Sequence, residues 1–175
     1  RRFSVTTGSE AALFDYQVQE VVTGARGITR PLESLSAREP MEPTCSPTWA
    51  QPTPDGRSIF VACNKSNEIL VIDRENWALE RKMSVPGGPY NLAISEDGEI
   101  LIASLKAAGK VQFFEASTGK SLGLATSTTT VTHGVVVTPD SRYAFVSMEG
   151  KGAEPGKVDA YDLQTFQLVG SVEVG

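Results

Sequence analysis

Residues 53–56 read Thr53-Pro54-Asp55-Gly56, and related turns recur at Ser95-Glu96-Asp97-Gly98 and at Thr138-Pro139-Asp140-Ser141. Proline presets the first position of such a turn, aspartate bonds its own backbone, and glycine accepts a positive φ. The turn aspartates are 42 and 43 residues apart. A repeat of this length predicts a protein built from similar units placed side by side.

Each repeat contains four short runs that are rich in β-branched and aromatic residues and separated by Gly, Pro, Asp and Asn. Such runs predict strands rather than helices. Runs such as Ile100-Leu101-Ile102-Ala103 are apolar on both faces, so they need neighbouring sheets on both sides. Four antiparallel strands in every ~40–45 residues predict an all-β fold, a β-propeller of four-stranded blades. The residues expected in the core between blades are Ile59, Val61, Val71, Leu101, Ala103, Phe113, Phe145 and Ala160.

The repeated motif also resembles a known family. A Pro-(x)7-Asp-Gly pattern, an apolar strand that ends near Asn64, and then Ile69-Leu70-Val71-Ile72-Asp73 are similar to the YVTN family of β-propeller repeats. The resemblance covers residues 44–175. The later units depart from the pattern at Glu96, Glu115, Thr132 and Ser141. The resemblance implies a ring of seven blades, which is usual in this family. At ~42 residues per blade, the 175 residues of this chain would cover about four of them. Many members are exported, which implies a location in the periplasm or at the cell surface.

The repeats divide the chain into parts of one propeller domain, which we expect to be incomplete. The blades are predicted at residues 44–86, 87–128 and 129–175. Residues 1–24 predict a partial blade, and residues 25–43, which contain three prolines and many charges, predict an inter-blade insertion. Blades are apolar on both faces, so we expect the remaining blades or a protein partner to cover both ends of the array.

Composition limits the function classes. The net charge of −5 comes without a basic stripe, so we expect no nucleic-acid partner. No apolar run approaches the ~20 residues of a transmembrane segment, and none is expected. One histidine, two cysteines and no CxxCH motif predict neither a metal site nor another cofactor. There is no phosphate-binding loop or nucleophile motif, so no residue is predicted to be catalytic.

Cys45 and Cys63 lie on opposite sides of the hairpin that turns at Pro54-Asp55-Gly56. Folding back around this turn brings Cys45 near the residues that follow Cys63. A disulfide needs Cα atoms within ~7 Å and suitable Cβ directions. The sequence leaves two states open, a disulfide and a pair of free thiols.

Two groups of residues are candidates for contact with a ligand. Thr48, Tyr90 and His133 occupy one column of the repeat and begin the innermost strand of their blades, at the rim of the predicted channel. Polar residues there either face channel water or contact a ligand. The loop at residues 150–156 is four residues longer than its counterparts, and loops that break a repeat often make specific contacts. Its candidate partner-binding residues are Lys151, Glu154 and Pro155, and a surface loop without a partner is the alternative.

The leading interpretation is a non-catalytic binding or scaffold module that presents its rim to a protein partner, because no catalytic constellation is visible. The first alternative is a lactonase-like or oxidoreductase propeller enzyme whose site, at His133 and Tyr90, is shared with blades absent from this chain. The second alternative is an accessory subunit of a larger assembly.

Overall fold

The structure, a computed structural model, describes residues 45–174. They form three antiparallel sheets of four strands each, in which strand order follows the chain, and this range contains no helix. We call the sheets blades 1, 2 and 3. Blade 1 contains β1 (Pro47–Pro52), β2 (Ser58–Cys63), β3 (Glu68–Asp73) and β4 (Ala78–Ser84). Blade 2 contains β5 (Pro89–Ile94), β6 (Ile100–Leu105), β7 (Lys110–Glu115) and β8 (Ser121–Thr126). Blade 3 contains β9 (Val131–Val137), β10 (Tyr143–Glu149), β11 (Lys157–Asp162) and β12 (Gln167–Glu173).

The predicted all-β architecture of four-stranded blades is confirmed for this range. The partial blade expected at residues 1–24 and the insertion expected at residues 25–43 lie outside the described residues.

The turns between the first two strands of each blade share one geometry. In blade 1 the Thr53 hydroxyl donates to Asp55 Oδ1 at 2.6 Å, and the Arg57 amide donates to the same oxygen at 3.0 Å. These two hydrogen bonds hold the pKa of Asp55 below its usual value. Gly56 has a φ of 68°, and Ser141 takes a φ of 55° at the same position of blade 3. The hydrogen-bonded aspartate therefore keeps the turn even where glycine is absent.

The blades pack face to face through two apolar clusters. Phe60 and Val71 of blade 1 lie against Leu92 and Phe114 of blade 2. The opposite face of blade 2 is covered by blade 3 in the same way, with Ile102, Val111 and Phe113 packing on Ala144, Val146 and Tyr161. Blade 2 is thus buried on both faces, which explains its continuous apolar strands.

The expected core is correct for most positions and wrong for Phe145. Buried as predicted are Val61, Val71, Leu101, Ala103 and Phe113. Ile59 and Ala160 are only half-buried. Phe145 is 39% exposed, because it lies on the face of blade 3 that points away from blade 2. It pairs there with Val136, which is 59% exposed, and with Ala160.

Cys45 and Cys63 form a disulfide, one of the two states that the sequence left open. Their Cα atoms are 4.7 Å apart and both side chains are buried. The Lys65 amide also donates to the Cys45 carbonyl at 3.3 Å. The start of β1 is therefore joined to the end of β2 by a covalent bond and by backbone hydrogen bonds.

Candidate functional site at the channel rim

One end of the three blades carries all the residues that the sequence singled out for ligand contact. The inner strands β1, β5 and β9 begin at this end, and antiparallel pairing brings the ends of β2, β6 and β10 to it. Pro47 pairs with Cys63, and Pro89 pairs with Leu105. We call this end the rim. The linkers that enter each inner strand, and the loops between second and third strands, also lie here.

The three residues of the predicted rim column contact one another in series across the blades. The Thr48 hydroxyl donates to the Tyr90 carbonyl at 2.7 Å, which joins blade 1 to blade 2. The Tyr90 and His133 rings are 4.8 Å apart between centroids and tilted by 59°, which joins blade 2 to blade 3. All three residues are half-buried. The structure thus brings the predicted column together on one surface.

Two charged residues that sequence reasoning missed complete this surface. Lys106 Nζ lies 4.4 Å from the centre of the Tyr90 ring, a cation–π contact. Glu149 Oε2 lies 3.1 Å from His133 Nε2, within ion-pair distance, although the atoms do not have hydrogen-bond alignment. A repeat signal could have found them, since Asn64, Lys106 and Glu149 each directly follow the column that ends the second strand. We call Thr48, Tyr90, Lys106, His133 and Glu149 the rim cluster.

Buried polar side chains fix the backbone behind the rim cluster. Asn91 Oδ1 accepts from the Val135 amide at 3.0 Å, and the Ser104 hydroxyl donates to the His133 carbonyl at 2.5 Å. The Asn91 amide in turn donates to the Ser104 hydroxyl at 3.0 Å. Because Asn91 and Ser104 are buried, these hydrogen bonds hold β9 at a defined position against blade 2.

The long loop at residues 150–156 directly follows Glu149 and is folded onto itself. The Lys151 amide donates to Glu154 Oε2 at 3.3 Å, and the Glu154 amide donates to the Lys151 carbonyl at 3.2 Å. A Cβ on Gly150 would stand 1.7 Å from the Glu154 carbonyl oxygen, so the close approach requires glycine. Lys151 and Glu154 are exposed and Pro155 is half-buried. The loop therefore extends the rim surface with both charges.

A buried carboxylate anchors the linker that supports this loop. Asp159 is fully buried and accepts hydrogen bonds from the Thr128 amide, the Thr128 hydroxyl and the Tyr161 hydroxyl. Burial, together with the adjacent carboxylate, raises the pKa of Tyr161. Thr129, the next residue of the linker, donates to Glu154 Oε2 at 3.3 Å. The loop at 150–156 and the start of β9 therefore share one support.

In the rim cluster, the Lys106 cation, the Tyr90 ring, the His133 imidazole and the Glu149 carboxylate lie in contact one after another. Within residues 45–174, no group of three or more His, Cys, Asp or Glu side chains is placed to hold a metal ion. The same range contains no helix that is long and apolar enough to span a membrane. The chemistry that the rim supports directly is recognition by ion pairs, hydrogen bonds and aromatic contact.

Comparison with known structures agrees with the architecture. Hydrazine synthase from Kuenenia stuttgartiensis superposes with a TM-score of 0.70 at 17% identity, over 75% of this chain and 37% of that one. The WD40 repeats of RRP9 give a TM-score of 0.65 at 16% identity, over 73% of this chain and 38% of that one. The structure of U3-55K gives a TM-score of 0.64 at 18% identity, over 73% of this chain and 39% of that one. No protein-family model matches the chain, and no curated protein matches it.

These likenesses define the class of the fold. The three blades are part of a β-propeller. At identities of 16–18%, the likeness shows the fold and nothing about function. The chain spans less than two-fifths of the length of each propeller that it matches, between 37% and 39%.

Proposed function

We propose that the chain is a non-catalytic binding module of the YVTN type, which presents the rim cluster and the loop at residues 150–156 to a protein partner. The observation that carries this proposal is the cross-blade series Lys106–Tyr90–His133–Glu149. Tyrosine is enriched at the energetic centres of protein interfaces, and flanking charges give an interface its specificity. The WD40 repeats of RRP9, one of the similar structures, support a recognition role for such a scaffold by analogy.

Geometry favours the rim over the other end as the binding surface. The Tyr90 ring contacts both Lys106 and His133, so it is ordered before a partner arrives. Pre-ordered side chains lose less conformational entropy on binding. The loop at residues 150–156, which breaks the repeat, lies at the same end and adds one lysine and one glutamate.

A matched pair of tyrosines makes the test specific. Tyr143 also has a cation near its ring, with Arg142 Cζ 5.2 Å from the centroid, but it begins β10 and so lies at the opposite end. Photo-crosslinking from position 90 should capture a partner that crosslinking from position 143 does not. The purified partner should then bind Tyr90→Ala about ten-fold or more weakly by calorimetry and bind Tyr143→Ala as it binds the wild type. Equal affinities for both variants would overturn the proposal.

A second candidate is a propeller enzyme of the lactonase or oxidoreductase kind, and the His133–Glu149 pair favours it. A carboxylate that orients an imidazole is a common arrangement for a general base. If the chain is such an enzyme, it should hydrolyse at least one member of a panel of lactones. The substitution His133→Gln should abolish this hydrolysis, and Tyr143→Ala should retain it. Turnover that persists in His133→Gln would contradict this candidate.

We also propose that the protein is exported to the periplasm or the cell surface. The Cys45–Cys63 disulfide supports this, because disulfides persist in oxidising compartments and are rare in the cytosol. Fractionation of the native cells, with alkylation of free thiols before lysis, should find the protein outside the cytosol and unlabelled at both cysteines.

A further inference from the structure

The face of blade 3 that points away from blade 2 repeats a surface that is covered elsewhere in the molecule. Ile102 and Phe145 each follow the turn aspartate of their blade by five residues, so they occupy the same position. The cross-strand row that contains Ile102 is Ala93, Ile102, Phe113 and Gly123, and the row that contains Phe145 is Val136, Phe145, Ala160 and Gly170. Blade 3 covers Ile102 and Phe113, whereas Phe145 is 39% exposed. Each row keeps one phenylalanine in its two central strands, so both rows have the composition of a core.

The glycine of the row makes room for a side chain of the following blade. A Cβ on Gly123 would stand 2.8 Å from the Cβ of Phe166, which belongs to the turn between β11 and β12. Gly170 has the same position in β12, and a Cβ there would meet nothing within 4 Å. Its φ lies outside the left-handed region, so the backbone does not require glycine. Glycine inside a strand weakens it and often marks the close approach of another group.

The interface between blades 1 and 2 shows the same complementarity with the roles exchanged. Gly119 holds the position of Phe166, because each amide donates to the carbonyl four residues earlier at 2.8 Å. Here blade 1 supplies the large side chain, and a Cβ on Gly119 would stand 3.0 Å from Met83 Cγ. Each interface therefore places a glycine of one blade against a large side chain of the other. Gly170 has no such neighbour among residues 45–174.

A hydroxyl on the same face is one hydrogen bond short of its counterpart. The first two blades each donate one hydroxyl to a carbonyl of the next inner strand, Thr48 to Tyr90 at 2.7 Å and Ser104 to His133 at 2.5 Å. Ser147 holds the position of Ser104 and accepts from an amide of its own inner strand at 3.1 Å, as Ser104 does at 3.0 Å. Ser147 is exposed, and within the described part of the chain no following blade offers it a carbonyl.

We propose that this face binds a fourth four-stranded blade of the same repeat. The Ser147 hydroxyl donates to the carbonyl in the His133 position of that blade, and a large side chain in its Phe166 position lies over Gly170. Phe145 becomes buried between the blades. A blade is the occupant because the apolar row, the glycine and the hydroxyl match, one by one, the face of blade 2 that a blade covers. The proposal does not depend on the function proposed for the rim cluster.

The test appends a second copy of residues 129–175 to the full chain after Gly175. Four residues then separate Glu173 from the next strand, as four residues separate β8 from β9. The copy supplies the carbonyl of His133 and the ring of Phe166. We expect a fluorinated phenylalanine at position 145 of the original blade 3 to lose its response to a soluble paramagnetic reagent. A copy that stays unfolded, or that leaves position 145 accessible, would overturn the proposal.

Gly170→Val should have opposite effects in the two chains. Without the copy it should leave the urea midpoint unchanged or raise it, because valine favours strands and meets nothing there. In the extended chain it should lower the midpoint by about 0.5–1 M, because it meets Phe166 of the copy. Phe166→Gly in the copy should restore the midpoint. Gly123→Val is the matched control and should lower the midpoint of both chains, since Phe166 already lies against Gly123. The same effect of Gly170→Val in both chains would contradict the proposal.

The Ser147 hydroxyl gives a second measurement. Ser147→Ala should lower the urea midpoint of the extended chain more than that of the 175-residue chain, because only the extended chain supplies the carbonyl across the blades. An equal loss in both chains would rule out that hydrogen bond. If Gly170→Val abolishes self-association of the 175-residue chain, a second copy occupies the face and the proposal is wrong.

Discussion

Thr128 donates two hydrogen bonds to the buried Asp159 carboxylate, from its amide at 2.8 Å and from its hydroxyl at 2.6 Å. Thr128 belongs to the linker between the outer strand of blade 2 and the inner strand of blade 3, and Asp159 belongs to β11. The pair therefore connects the path of the chain between blades to the sheet that carries the long rim loop.

Asp159→Asn should destabilise the fold by about 1–3 kcal/mol, because one carboxylate oxygen is replaced by an amide that cannot accept a hydrogen bond. Urea unfolding measures the loss. Ser171→Ala is the control, since the Ser171 hydroxyl contacts the Thr128 hydroxyl at 3.1 Å in an exposed position. That variant should stay within about 0.5 kcal/mol of the wild type. Equal effects of the two substitutions would show that Asp159 is not the anchor.

The fold should lose stability in alkaline solution because the Tyr161 hydroxyl is deprotonated more easily in the unfolded chain. Its pKa is raised above the ordinary value of 10.0 by burial and by the Asp159 carboxylate. The folded chain therefore keeps a proton that the unfolded chain releases, so the contribution is complete below pH 10 and is lost as pH rises further. Up to about 1.4 kcal/mol per pH unit should be lost above this point. Tyr161→Phe should flatten this slope in urea unfolding, and an unchanged slope would contradict the prediction.

Loss of the Cys45–Cys63 disulfide should lower the free energy of unfolding. The bridge closes a loop with a sequence separation of 18, for which the chain-entropy treatment gives about 3 kcal/mol. A reducing agent should therefore lower the urea midpoint of the wild type. The double variant Cys45→Ala, Cys63→Ala should unfold at the lower midpoint and should not respond to the reducing agent. If the reducing agent also lowers the urea midpoint of the double variant, the effect in the wild type does not come from the disulfide.

Two threonines near the start of inner strands should respond in opposite directions to substitution by valine. The Thr132 hydroxyl is buried and has no hydrogen-bond partner among residues 45–174, whereas the Thr48 hydroxyl donates to Tyr90 at 2.7 Å. Thr132→Val should raise stability by about 1 kcal/mol, because an unpaired polar group leaves the core. Thr48→Val should lower it by a similar amount. Thermal or urea unfolding of both variants measures these changes. A loss of stability in Thr132→Val would mean that the Thr132 hydroxyl of the wild type is hydrogen-bonded.

The fold could be predicted well from the sequence because the same local pattern occurs three times. The apolar run Ile69-Leu70-Val71-Ile72-Asp73 of the repeat motif lies in β3 as predicted, and Asp55 accepts a backbone hydrogen bond in its turn as predicted. Local chemistry decides such features. Burial of Phe145 could not be predicted in this way, because it depends on whether another sheet covers that face.

The site was predicted only in part, for a related reason. Tyr90 and His133 share a column, and neighbouring blades place equal columns side by side, so their contact followed from the repeat. The repeat places Lys106 just beyond the end of β6, at the rim, but its contact with Tyr90 depends on the direction of a flexible side chain. Asp159 has Gln112 and Leu70 as its counterparts, so the repeat gave no sign of a buried carboxylate.

Within residues 45–174, nothing covers the face of blade 3 that points away from blade 2, so these 175 residues should associate when they are expressed alone. Val136, Phe145 and Val172 lie on that face and are 59%, 39% and 57% exposed. Clustered apolar side chains favour contact with another surface, whereas single ones do not. Phe145→Ser should therefore shift sedimentation profiles toward the monomer and reduce the binding of dyes that report apolar surface. Leu122→Ser, which removes an exposed leucine from β8 of blade 2, should change neither. Monomeric proteins rarely expose apolar patches larger than a few hundred Å². A wild-type chain that stays monomeric at about 100 µM would therefore contradict the prediction and show that this face tolerates water.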